Sequence, residues 1–116
     1  LLELAAVEAS GQVRSRNYAG LQAVPVRRIR GTLNRSQDFD AAFNPLQDHT
    51  QQRWVRLAAA REAGESLPPI ELIQVGDVYY VQDGHHRVSV ARTLGEQDID
   101  AVVTVWQVAD AGPAAA

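Results

Sequence analysis

Five consecutive residues, Asp83-Gly84-His85-His86-Arg87, hold most of the side chains in this sequence that could do chemistry together. They lie between a stretch that reads as a strand, ending near Gln82, and one that reads as a helix from His86 to Leu94, closed by Gly95. A helix entry leaves backbone N–H groups with no helical carbonyl to donate to. Here those groups belong to His85, His86 and Arg87. Together with the positive end of the helix dipole they favour an anion. Gly84 permits a tight turn and a close backbone approach. Two imidazoles add donors, and a guanidinium matches phosphate oxygens two at a time. The pattern nominates a phosphate or carboxylate site with Gly84, His85, His86 and Arg87 as binding residues. If chemistry occurs there, His85 or His86 is the candidate acid, base or phosphate clamp, and Asp83, Asp38 or Asp40 the candidate base.

Each of these residues also has a plain structural explanation. Asp83 caps a helix, Gly84 makes a turn, and the histidines are surface polar groups. The convergence of donors at one helix terminus is what favours function. Zinc is the weakest reading, because adjacent histidines diverge on a helix and His49 is the only other one. No metal site is expected. Arg35, in a polar loop, and Arg53, on a long helix, are further candidates for contact with a bound nucleotide. Trp54 sits at helical spacing and is expected in the core.

The elements that must position this turn are legible around it. Ile70–Val75 and Val78–Gln82 read as two strands joined by Gly76-Asp77, a tight hairpin turn. A helix is expected from about Asp48 to Ala63, stopped by Gly64, with Leu67-Pro68-Pro69 as a rigid connector. Ile99–Val108, rich in β-branched residues, reads as a last strand. Ahead of these, residues 1–10 are helix-compatible, 12–20 (QVRSRNYAG) read as a polar loop, and 23–30 as a strand that Pro25 marks as an edge or a start. A polar loop is expected from Gly31, with a short helix carrying Phe39 and Phe43 capped by Asp38 or Asp40. The expected organisation is an N-terminal helical arm (1–20), one small α+β domain with a mixed sheet and packed helices (21–109), and a disordered tail (110–116).

The 116 residues suit one domain, and 46% apolar with 22% charged residues is ordinary for a globular protein. There is no cysteine, which excludes disulfides, thiolate zinc sites and cysteine nucleophiles. No methionine occurs, even at position 1, as expected of a fragment. No apolar run approaches the roughly 20 residues that span a bilayer. The opening LLELAAVEASG lacks a basic region and carries two glutamates, unlike a signal peptide, so a cytoplasmic location is expected. Every basic residue is arginine. Residues 1–61 hold nine arginines and five acids, net +4, while 62–116 hold two arginines and nine acids, net −7. The acidic total argues against sequence-independent DNA binding.

The stretch PPIELIQVGDVYYVQDGHHRVSVARTLG resembles the core of the ParB/sulfiredoxin superfamily. ParB proteins have a proline-isoleucine strand, a hairpin, Gly-Glu-Arg-Arg and an alanine-rich helix closed by glycine. The spacing from Gly84 to Gly95 is similar. Sulfiredoxins carry Gly-Cys-His-Arg at the turn, and free-serine kinases a histidine-arginine version closer to this one. The resemblance covers about residues 23–108 and is specific in 68–95. It implies a ParB/sulfiredoxin-like α+β fold and nucleotide phosphates held at Gly84, His85, His86 and Arg87. It also implies ATP, ADP or CTP as ligand, with Mg²⁺ reached from Asp83 through water. His85 or His86 stands where sulfiredoxins have cysteine, so sulfinic-acid reduction is excluded. The regions that give full ParB its operator binding are absent. Three functions compete: a nucleotide-binding regulatory domain, a phosphotransferase or nucleotide hydrolase, and a DNA-binding or nuclease module. The expected partner is a nucleotide. DNA has the weaker claim, no membrane is expected, and a homodimer stays open.

Overall fold

The computed structural model describes residues 2–34, 39, 43, 48–64 and 67–109, without the side chains of residues 48–51, 53 and 62. Among the described residues the main elements, in chain order, are β1 (Leu2–Glu3), α1 (Ala5–Ala9), β2 (Val13–Pro25), β3 (Ile29–Thr32), α2 (Asp48–Glu62), β4 (Ile70–Val75), β5 (Val78–Asp83), α3 (His85–Thr93) and β6 (Asp98–Val108). The strands form one mixed sheet in the order β1-β3-β5-β4-β6-β2. β4 and β5 form the expected antiparallel hairpin. Gly76 has φ +59° and Asp77 does not have a positive φ. Only the first turn position needs the left-handed region, so glycine is required there and aspartate is tolerated next to it.

The main core lies between one face of the sheet and α3. Ile29, Ile70, Leu72, Val81, Ala101 and Val103 from the strands meet Val88, Phe39 and Phe43, all buried. α2 packs on α3. Trp54 Nε1 donates to the buried Ser89 Oγ at 2.6 Å, which joins the two helices. The opposite face carries a smaller cluster, in which Leu4 packs with Ile73 and Trp106. Here β1 pairs parallel to β3, which ties the N-terminus to the sheet.

Two expectations for the N-terminal half need correction. Residues 12–20 do not form a loop. They belong to β2, which pairs with β6 from Val13 to Pro25, so the expected boundary at residue 20 falls within a strand. Two register shifts, at Val13/Ser15 and Tyr18/Gly20, break the period-two pattern that would have marked the strand. As an edge strand β2 also exposes most of its side chains, so no apolar run was needed to build it. The second correction concerns 23–30. Pro25 ends β2, a 3₁₀ turn spans Val26–Arg28, and Gly31 lies inside β3 rather than opening a loop. The position of Pro25 at the end of an edge strand spares the sheet a missing N–H. The expected cap residues Asp38 and Asp40 and the tail 110–116 lie outside the described residues.

Candidate functional site

The turn between β5 and α3 is fixed by glycine for two separate reasons. Gly84 has φ +105° and ψ 25°, in the left-handed region. A Cβ there would also run into the Ile70 side chain, Cγ2 and Cβ alike. The backbone thus lies directly on the first residue of β4, and only glycine allows that approach. Helical bonding starts with Val88 N–H donating to Gly84 O at 3.1 Å. The amides of residues 85–87 come before it, and Gly84 brings no side-chain cap.

The five sequence-predicted residues divide into an inner and an outer set. His85 is buried, with 2% exposure. Its Nε2 lies 2.6 Å from Thr32 Oγ1, also fully buried. The Thr32 hydroxyl is 3.5 Å from Val81 O, which already accepts the Leu33 N–H at 2.9 Å. Of these two contacts the imidazole is the closer. Phe39 stacks on His85, with centroids 5.6 Å apart and planes at 17°, and meets His86 edge-on at 5.3 Å. The adjacent histidines thus share one aromatic neighbour, although they diverge on the helix.

Arg87 and Asp83 form the outer set. Arg87 Nη1 donates to Pro68 O at 2.5 Å, and Nη2 donates to Asp83 Oδ2 at 3.3 Å. The guanidinium side chain is 16% exposed, whereas that of Asp83 is 65% exposed. One arginine thus bridges the end of β5, the entry of α3 and the chain that leads into β4. Around it opens a pocket of about 430 Å³ lined by Leu57, Pro68, Asp83, Gly84, His86 and Arg87, with Leu67, Pro69 and His85 completing the wall. Ligand sites commonly occupy about 300–1,000 Å³.

Arg35 lies outside the described residues, as does the side chain of Arg53, so neither is located relative to this pocket. Trp54, expected in the core, is instead half-buried between α2 and α3. Three further residues hold the turn: Thr32, Ile70 and Phe39. In the sequence Ile70 marks only the start of a strand and Phe39 only a short helix, while Thr32 carries no local signal, since its partner lies 53 residues away.

No family model matches this sequence, and no curated protein matches it. Among solved structures it is similar to sulfiredoxin from Arabidopsis thaliana, with a TM-score of 0.53 and 24% identity over 72% of this chain and 82% of that one. The chain has the sulfiredoxin fold. The mixed sheet and packed helices read from the sequence agree with it. The sulfiredoxin fold here carries no cysteine anywhere in the chain, and histidine stands on both positions between Gly84 and Arg87. Among the described residues no helix is long and apolar enough to cross a membrane.

Proposed function

We propose that this domain binds the phosphate groups of a nucleotide at the entry of α3, as a binding or regulatory module. One observation carries the reading. Bare backbone at Gly84, packed on Ile70, opens into a pocket of about 430 Å³ whose wall includes a pinned arginine. Helix-entry amides supply directed donors to phosphate oxygens, and Arg87 supplies fixed positive charge. Holding the guanidinium against Pro68 and Asp83 before any ligand arrives lowers the ordering cost of binding. ATP, ADP and CTP are the expected ligands, and the exposed Asp83 carboxylate would reach Mg²⁺ through water. The buried His85 acts inward in this reading. It anchors the first turn of α3 to β3 through Thr32, and His86 faces the pocket wall.

Calorimetric titration with ATP, ADP, CTP and GTP, each with Mg²⁺, tests the proposal. Saturable binding of at least one, weakened at least tenfold in Arg87→Ala with the fold intact by circular dichroism, is the expected result. No saturable binding of any of the four, nor of pyrophosphate, overturns it.

A second reading, phosphoryl transfer to a hydroxyl, rests on Asp83, a carboxylate exposed on the wall of the same pocket. Release of labelled phosphate or product with a panel of hydroxyl acceptors, free serine among them, separates it from binding alone. Binding without turnover across the panel leaves the first reading.

A further inference from the structure

Arg87 meets the candidate pocket with only part of its guanidinium. Nη1 is taken up by the backbone, donating to Pro68 O at 2.5 Å and to Pro69 O at 3.4 Å. Nη2 is the terminal nitrogen at the helix entry. It lies 3.2 Å from the point that a Cβ on Gly84 would take, over the bare backbone where α3 begins. A phosphate held by the amides of residues 85–87 therefore meets Nη2 first. That nitrogen already has an anion. Asp83 Oδ2 accepts from it at 3.3 Å, and Asp83 lines the same pocket.

The pairing is loose. A close charge-assisted bond measures about 2.7–2.9 Å, and the Asp83 side chain is 65% exposed. An ion pair that open to water adds little to a fold. The carboxylate acts instead on whatever binds beside it. Two acceptors on one guanidinium nitrogen, each about 3 Å from it, stand within roughly 5 Å of each other. A phosphate oxygen on Nη2 thus faces the Asp83 charge at close range, and two anions at that distance repel. The repulsion falls only if the carboxylate turns outward, as its exposure allows. Turned outward, it stands at the ligand's open side, where a hydrated divalent cation holds carboxylate and phosphate oxygens together. The cation turns repulsion into attraction. Pro68 plays the opposite part. Its carbonyl is neutral and holds the guanidinium without opposing a ligand.

Granted the phosphate reading above, on which this rests, we infer that Asp83 sets the specificity of the pocket. It occupies Arg87 in place of a ligand, and so selects phosphate groups that arrive with a divalent cation over bare anions. The favoured ligand class is a metal-complexed di- or triphosphate. Sulfate and simple carboxylates, which hold such cations weakly, are turned away. Glu71 supplies an internal control. It is the register partner of Asp83 across the hairpin and is exposed, but it is not among the hydrogen-bond partners of Arg87.

Calorimetric titration of the whole chain with pyrophosphate, once with EDTA and once with Mg²⁺, tests this. The unaltered protein is expected to bind about tenfold tighter with Mg²⁺. Asp83→Asn keeps an acceptor for Nη2 and removes the charge. With circular dichroism unchanged, it is expected to bind the metal-free form about fivefold tighter than the unaltered protein and to lose most of the Mg²⁺ effect. A purely structural ion pair predicts the opposite, weaker binding once it is broken. Glu71→Gln should change either affinity by less than about twofold. Metal-free binding in Asp83→Asn no tighter than in the unaltered protein overturns the role of Asp83 and leaves the phosphate reading in place. An equal gain in Glu71→Gln overturns it in favour of a general field. An Mg²⁺ effect that survives Asp83→Asn in full overturns the cation selection. No pyrophosphate binding by any of the three proteins, with or without Mg²⁺, overturns the phosphate reading and the role of Asp83 together.

Discussion

The two faces of the sheet differ in how completely they are covered, and the difference decides where each can act. On one face Phe39, Phe43 and Val88 close over Ile70, Leu72 and Val81, all of them buried. The site rests on that side. Gly84 lies on Ile70, and His85 is held between Thr32 and Phe39. On the other face a five-residue helix and Leu4 cover one end, and Tyr18 and Leu21 stand in solvent at the other. Dense packing fixes the rotamers around the candidate binding turn, which preorganises it. A thin layer leaves large apolar side chains in solvent, at little cost to the fold. The open part of this face shows what the sheet looks like where none of the described helices packs on it.

Truncation experiments test that contrast most strongly. Phe43→Ala should cost about 3–5 kcal/mol, since the ring is fully buried among core residues. Leu21→Ala on the open face should stay within about 0.5 kcal/mol. Urea unfolding measures both, and equal losses would erase the difference between the faces. A smaller effect is expected from Thr32→Val, which keeps the shape but removes the hydroxyl that His85 meets. It should cost about 1–3 kcal/mol, because a buried imidazole nitrogen loses that partner. The same variant should loosen the first turn of α3, read as faster amide exchange at residues 85–88 with β6 unchanged. Unchanged exchange would mean that the threonine does not anchor the turn.

The smallest effect concerns the thinly covered face. Burial pushes the Tyr80 phenol above its ordinary value, and Arg30 offsets this in part. The folded protein then holds a proton that the unfolded chain has released. The stabilisation is fully present below about pH 10, the ordinary tyrosine value, and is lost as pH rises through the folded value. Thermal melts should fall above pH 10, less steeply in Tyr80→Phe. Parallel slopes for the two proteins would remove Tyr80 from the alkaline limb.

The hairpin and the turn that frame the candidate site were legible because their cues are local. Gly76-Asp77 between two β-branched runs names the hairpin, and Asp83 to Arg87 between a strand and a helix names the turn. The N-terminal half was harder to read. QVRSRNYAG has few apolar residues and two register shifts, so neither composition nor alternation marks a strand. It becomes one because β6 offers a partner along its whole length. Arg87 was expected to present its guanidinium to a ligand. The structure gives that group Pro68 and Asp83 as partners, which makes it a brace as well as a candidate ligand contact.

The sequence by itself determined the hairpin, the helix entry at residues 84–87 and the α+β class, since each rests on backbone preferences set within about ten residues. Tertiary structure alone decided which way the two histidines face, what holds them, and that β2 reaches back to Val13. His85 meets Thr32 across 53 residues, and Arg87 meets Pro68 across 19. Contacts over such distances come from the packing of whole elements, and that packing depends on the joint burial of many side chains rather than on any short run of residues.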